Sequence, residues 1–183
     1  MRHGKVDLPS GQAVSAGSAD PAPVLLVNED GDILDVLGRE FPALAILRVP
    51  MSPLHPVTAA AFPAPRYNAL EIKTFAMLRS LLRRAIRDAE APLLGQVATA
   101  SARIHQRRLP KPRFNVLLNI AVSFGACGVS VSHGGNGAAL IFNPKKRDFY
   151  RSMQGATWAL RELGICRDNS LTRPCTTTSL RGA

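Results

Sequence analysis

Residues 96–144, QVATASARIHQRRLPKPRFNVLLNIAVSFGACGVSVSHGGNGAALIFNP, decide the fold of this chain. They read as a helix, a Leu-Pro-Lys-Pro break, a second helix, a strand, a Gly-rich turn and a strand. Phe114, Leu117, Leu118, Ala121 and Phe124 fall at helical spacing and form one apolar face. Pro110 and Pro112 lack the amide hydrogen a helix interior needs, so they separate this helix from the one before it. Val129 and Val131 alternate with Ser130 and Ser132, the pattern of a half-buried strand. Ala138 to Phe142 is a short apolar run closed by Asn143-Pro144, as a buried strand would be. Asn136-Gly137 between two such runs is a strong hairpin signal.

The turn itself, Ser132-His133-Gly134-Gly135-Asn136-Gly137, admits two roles. In one, its glycines simply supply the backbone freedom of a tight turn. Alternatively, amides with no Cβ in the way can approach a phosphate or carboxylate closely.

Working outward, Asn68 to about Asp88 predicts a helix with the stripe Phe75, Leu78, Leu82 and Ile86. Pro92 permits a new start, and Leu94, Val97, Ser101 and Ile104 continue a second stripe up to Arg108, so the two helices should form an antiparallel hairpin. Val24–Val27, the turn Asn28-Glu29-Asp30-Gly31-Asp32 and Ile33–Leu37 read as strand, turn, strand. The acidic turn is too short for a calcium loop. Ala43 to Val49 is apolar on both faces and predicts a central strand. Residues 51–65 hold four prolines and must be a loop. A last helix runs from about Arg147 to Leu163 with the stripe Phe149, Met153, Ala156, Leu160 and Leu163, and Gly164 is a natural terminator.

Composition narrows the function. The 183 residues are 46% hydrophobic, enough for one core-bearing domain. No apolar run approaches the roughly 20 residues of a membrane span, and the start lacks a signal peptide's apolar core, so a cytoplasmic protein is expected. Cys127, Cys166 and Cys175 have no metal-ligand spacing among themselves or with the four histidines, and no metal site is expected. Cys127, between a helix and a strand, reads as a buried small hydrophobe. The formal charge is +10, and residues 73–113 hold ten Lys or Arg against Asp88 and Glu90. Such a patch attracts phosphorylated molecules or nucleic acid, or is the solvated side of two helices. Aromatics are 5% and none interleaves the arginines to stack bases, so nucleic-acid binding rests on charge alone. Residues 1–22 read as a flexible leader and 166–183 as a disordered tail, leaving a domain over 23–165. Strands followed by helices, a hairpin and a last helix imply an α+β fold: an antiparallel sheet, of four strands by this reading, with helices packed on one face in a ferredoxin-like manner.

The run SARIHQRRLPKP, a helix, then GACGVSVSHGGNGAALIFNP resembles the C-terminal domain of GHMP-type small-molecule kinases. Within them it resembles the L-threonine kinases of cobalamin side-chain assembly. Gln106, Arg107, Leu109, Pro110, Lys111, Pro112, Gly128, Val129, Val131, His133 and Gly135 carry the similarity, which extends over about residues 70–163. His105 stands where that family tends to have Asn, Gly134 where it has Ser, and Asn136 where it has Thr. The resemblance implies transfer of the ATP γ-phosphate to a hydroxyl acceptor, with L-threonine the first candidate and ATP and Mg²⁺ as cofactors. It makes His133, Gly134, Gly135, Asn136 and Gly137 the substrate- or phosphate-side loop, and Thr58, Gln106 and Arg107 candidate substrate contacts. His133 is either a general base or a histidine packed against the hairpin base. The family's Gly/Ser-rich ATP loop, which opens a helix in its N-terminal domain, has no counterpart here. The expectation is therefore the C-terminal part of a kinase, inactive without a separate N-terminal half. The alternatives are a non-catalytic small-molecule-binding or regulatory domain, and a basic nucleic-acid-associated protein.

Overall fold

The computed structural model describes residues 24–26, 33–38, 40–51, 67–107, 109–132 and 137–165. The expected leader and tail, the proline-rich loop with Thr58, and the hairpin tip from His133 to Asn136 lie outside them. Five strands and four helices follow in the order β1 (Val24–Leu26), β2 (Ile33–Val36), β3 (Ala45–Pro50), α1 (Ala69–Arg87), α2 (Ala91–Gln106), α3 (Phe114–Ser123), β4 (Gly128–Val131), β5 (Gly137–Phe142) and α4 (Phe149–Glu162).

The fold is α+β, as the order of elements implies, but the described strands make two sheets rather than one of four strands. β1 and β2 pair antiparallel by themselves, and the larger sheet has the antiparallel order β3-β5-β4. The expectation that the strand over 43–49 is central is corrected here. β5 is central, buried from Ala138 to Phe142, while β3 alternates and exposes Arg48 and Pro50.

Register explains how the core divides. Leu47 pairs with Leu140, which pairs with Val129; Val49 and Val131 both pair with Ala138. This row packs with Phe114, Leu117, Ile120 and Ala121 of α3 and Phe149, Ala156 and Leu160 of α4. The alternate row contributes Ile46 and its partner Ile141 to a second cluster, with Leu82, Ala85 and Ile86 of α1 and Leu94, Val97 and Ala98 of α2. The α2 stripe is therefore shifted from its expected place: Gly95, Ala98 and Ala102 face inward, and Ser101 and Ile104 are only half-buried. Leu163, expected in the α4 stripe, is 51% exposed, because it lies beyond the last turn.

Small residues on α2 permit a backbone-on-backbone contact with β4. A Cβ at Gly128 would lie 2.0 Å from the Gly95 carbonyl oxygen, and one at Gly95 would lie 2.4 Å from the carbonyl carbon of Cys127. Thr99 completes the junction. Its hydroxyl donates to the Gly95 carbonyl at 2.9 Å and accepts the Val129 amide at 2.9 Å. β4 has β5 on one side only, so an outward amide of this edge strand needs such a partner.

Local chemistry sets the helix ends. Asn68 and Glu71 form a reciprocal capping box at α1, with bonds of 2.8 and 3.0 Å. Gly125 and Gly164 adopt φ of +63° and +61°, and the amides of Ala126 and Ile165 reach back to Ala121 and Leu160 at 2.8 and 2.9 Å. Both helices thus end in the αL-glycine motif anticipated at Gly164. α1 ends the same way at Ala89, with φ +52° and the Glu90 amide on the Ala85 carbonyl.

The basic surface is partly consumed by ion pairs. Arg79 and Arg83 of α1 converge on Asp35 of β2, tying the small sheet to the helix. Arg84 and Arg87 meet Asp88, and Arg113 donates to the Leu163 and Gly164 carbonyls at the end of α4, at 3.4 and 3.5 Å. Burial alone would raise the Asp35 carboxyl. The hydrogen bonds and charges of the two guanidinium groups outweigh that and hold it below its ordinary value of 3.8.

Three outcomes are expected. Thr99→Val leaves the buried Val129 amide without an acceptor and should cost about 1–3 kcal/mol in denaturant unfolding, whereas Thr99→Ser, which keeps the oxygen, should cost less. Gly128→Ala should cost at least as much as Thr99→Val, since the clash is with backbone. For Asp35, a depressed carboxyl stabilises the fold above its unfolded value, and that contribution is lost as the pH falls below 3.8. Asp35→Asn should flatten the fall of melting temperature in that acid range; an unchanged acid slope would show that the Arg79–Asp35–Arg83 cluster does not couple to folding.

Candidate functional site

The β4–β5 hairpin delivers the Gly-rich turn. Beyond the Val131–Ala138 pair, Ser132 and Gly137 close the ladder. The Ser132 amide donates to the Gly137 carbonyl at 2.8 Å, and the Gly137 amide donates to the Ser132 hydroxyl at 2.9 Å. Gly137 is thus fixed by Ser132, and its amide is engaged within the hairpin. A Cβ there would meet only the Val49 carbonyl oxygen and Ser132 hydroxyl at ordinary distances of 3.7 and 3.9 Å. Neither space nor left-handed backbone demands glycine at 137. Of the expected loop residues, His133, Gly134, Gly135 and Asn136 lie outside the described residues, as does Thr58.

Gln106 and Arg107 sit at the C-terminal end of α2 and diverge. Arg107 is 68% exposed and reaches the shielded Glu71 carboxylate of α1 at 3.6 Å. Gln106 turns inward: its Oε1 accepts the Lys111 backbone amide at 2.6 Å, and its Nε2 is buried without a hydrogen-bond partner among the described residues. The orientation of this side-chain amide is dictated by chemistry. An N–H faces one end, so that end must be the oxygen and the NH₂ must face away.

Lys111 carries the resemblance but is not among the candidate contacts it implies. Only 7% of it is exposed, and it is the buried charged residue of the described core. Among the described residues its ammonium has no ion pair, and burial lowers its pKa from the ordinary value of 10.5. The signal was there in retrospect. A lysine locked between Pro110 and Pro112, one residue past Leu109-Pro110 and three before buried Phe114, has little freedom to swing into solvent. The break also sets the start of α3: Arg113 takes the left-handed region at φ +64°, and the Phe114 amide donates to the Lys111 carbonyl at 3.3 Å.

Cys127 is half-buried against the α1/α2 cluster, and its amide donates to the Ile141 carbonyl at 2.7 Å. Burial pushes the thiol up, against the opposing effects of Lys146 and an Asn143 backbone hydrogen bond, as suits a structural rather than nucleophilic cysteine. Among the described residues no group of three or more His, Cys, Asp or Glu could hold a metal ion. They offer no all-protein cage for Mg²⁺, and no step of phosphoryl transfer is assigned to them. No helix among the described residues is long and apolar enough to cross a membrane.

With this geometry in place, comparison with known proteins is informative. No protein-family model matches the sequence. The L-threonine kinase of Salmonella typhimurium strain LT2 is 38% identical over 58 residues, which are 32% of this chain and 19% of that enzyme. The homoserine kinase of Cytophaga hutchinsonii superposes over 69% of this chain and 40% of its own, with a TM-score of 0.50 at 13% identity. The chain shares its fold with that part of the homoserine kinase. The mevalonate kinase of methicillin-resistant Staphylococcus aureus matches over 73% of this chain and 42% of its own, with a TM-score of 0.44 and 11% identity. The chain therefore spans less than half the length of these kinases and about a fifth of the L-threonine kinase.

Ser132→Ala should leave the Gly137 amide unpaired at the end of the β4–β5 ladder. A loss of about 0.5–1.5 kcal/mol in denaturant unfolding is expected. Faster hydrogen exchange at Gly137 than at Val129 would accompany it.

Proposed function

We propose that this chain is the C-terminal part of a small-molecule kinase that transfers the ATP γ-phosphate to a hydroxyl acceptor, with L-threonine the first candidate. The observation that carries this is the 38% identity to an L-threonine kinase, on a chain whose fold matches a homoserine kinase. Phosphoryl transfer is chiefly a matter of positioning nucleotide, metal and acceptor together. The β4–β5 hairpin supplies one fixed element of such an arrangement, its ends tied by Ser132 and Gly137. ATP and Mg²⁺ belong in this reading to an N-terminal half that carries the family's Gly/Ser-rich loop. On its own the chain is then inactive, and it acts together with that half.

A second reading is a non-catalytic domain that binds a small molecule. It is favoured by the departures at Gly134 and Asn136 from the family pattern, and by the engagement of the Gly137 amide within the hairpin.

The test is a chimaera in which residues 67–165 replace the matching part of the Salmonella L-threonine kinase. ATP-dependent phosphorylation of L-threonine is expected, and Gly135→Val in the chimaera should lower turnover or raise the acceptor KM by about tenfold or more, since a branched side chain blocks backbone approach. A folded chimaera that binds L-threonine without turnover would favour the binding domain. Unchanged kinetics in Gly135→Val would remove the loop from the site.

A further inference from the structure

We propose that the outward face of α4 is a docking surface for single-stranded nucleic acid, whose bases stack on Tyr150 and Trp158 and whose phosphates meet Arg151 and Arg161. This surface is independent of the kinase reading.

The first observation is the pattern of exposed side chains. Tyr150, Gln154 and Trp158 follow one another at four-residue steps, and Arg151 and Arg161 fall on the same side of the helix. All five are exposed, Tyr150 at 70% and Trp158 at 64%. Aromatic rings are ordinarily a fold's largest apolar contribution, so two left in water on one helix face mark an interaction surface. They stand about 12 Å apart along the axis at the usual rise per residue. Along the chain they are distant, and only the helix brings them into line with the arginines.

The second observation is charge. Residues 145–162 carry five Lys or Arg against Asp148 and Glu162. Among the described residues none of those five cations forms an ion pair, whereas Arg79, Arg83, Arg84, Arg87 and Arg107 are all engaged by carboxylates. The cations of α4 are therefore the ones left for a partner, and that partner must be negative. A positive surface interleaved with aromatic rings is what a single strand requires, because every base has a face to stack and every nucleotide a phosphate.

The surface is also rigid. The opposite side of α4 buries Phe149, Ala156 and Leu160 in the core. Gly155 lies so close to Phe124 of α3 that a Cβ there would come within 2.5 Å of the ring. The same packing disfavours a lipid surface, since the aliphatic face an interfacial helix sinks into acyl chains is already used. A second copy is disfavoured by like charges, the chain carrying a formal +10.

Trp158 is the chain's sole tryptophan, so its fluorescence reports on this face alone. The experiment titrates the full chain with oligodeoxythymidylate and oligouridylate of about 12 nucleotides, within the usual range of site sizes. Polyglutamate and phosphatidylserine vesicles are the other anionic probes. Saturable quenching of Trp158 by either oligonucleotide is the expected result, and the tighter of the two distinguishes DNA from RNA. Trp158→Ala, followed by the anisotropy of a labelled oligonucleotide, should weaken binding about tenfold, and Trp158→Phe, which keeps a ring, should weaken it less. Arg151→Gln and Arg161→Gln should each reduce the slope of log affinity against log salt by about 0.7. Arg103→Gln, at an exposed arginine of α2, should change affinity less than either. These are exposed positions, so the variants should keep the parent's melting temperature. The proposal is overturned if neither oligonucleotide quenches Trp158, if Trp158→Ala binds as tightly as the parent, or if Arg103→Gln costs as much as Arg151→Gln. Tighter binding of polyglutamate or vesicles than of both oligonucleotides overturns it in favour of an acidic protein or a lipid surface.

Discussion

Everything in the described fold turns on the contact between α2 and β4. Two glycines let a helix backbone and a strand backbone meet with no side chain between them, and the Thr99 hydroxyl bonds to both. The consequence is more than close packing. A three-stranded sheet has an unprotected edge on each side, and an edge buried by a helix must have its amides satisfied by that helix. An α-helix has no spare backbone donors or acceptors in its middle, so a side chain must serve. Thr99 does so while its own hydrogen returns to the Gly95 carbonyl, leaving the oxygen as the acceptor.

Because α2 is held there, it belongs to both halves of the core. Its early turns carry Leu94, Val97 and Ala98 into the cluster with α1, and Ala102 reaches the cluster built on α3 and α4. The small sheet is joined to this body through Asp35 and two arginines of α1. Its attachment is therefore more exposed to acid than the main sheet, whose strands are bound by register and apolar burial.

Much of this was legible in the sequence, for identifiable reasons. The helices were readable because their apolar faces repeat at helical spacing and their ends carry chemical punctuation: Asn68 with Glu71, the two prolines at 110 and 112, Gly164. The β4–β5 hairpin was readable because alternation and an Asn-Gly pair agree. What escaped depends on packing between segments distant in sequence. Nothing local marks Gly95 or Thr99, since small residues interrupt an apolar stripe without revealing that another backbone fills the gap. β3 looked central because Ala43 to Val49 is nearly all apolar, but partner choice gave that place to β5. At the candidate site, Gln106 and Arg107 were visible through resemblance, and the structure separates them into one inward and one outward side chain. Lys111 stood in the same motif and was passed over, because a lysine is ordinarily a surface residue and its burial depends on the proline-locked turn.

The same helix joins the architecture to the site. Gln106 lies seven residues after Thr99, about 10 Å along α2 at the usual rise per residue, so its position is set by the contact that fixes the sheet edge. It then binds the Lys111 amide, which holds the Leu-Pro-Lys-Pro turn against the end of the helix. Two residues on, Arg113 closes α3 against the last carbonyls after α4. The turn is thus held at both ends by side-chain-to-backbone bonds. A turn restrained in this way has no need of an interior cation for its stability, and an apolar side chain at 111 would serve the fold as well.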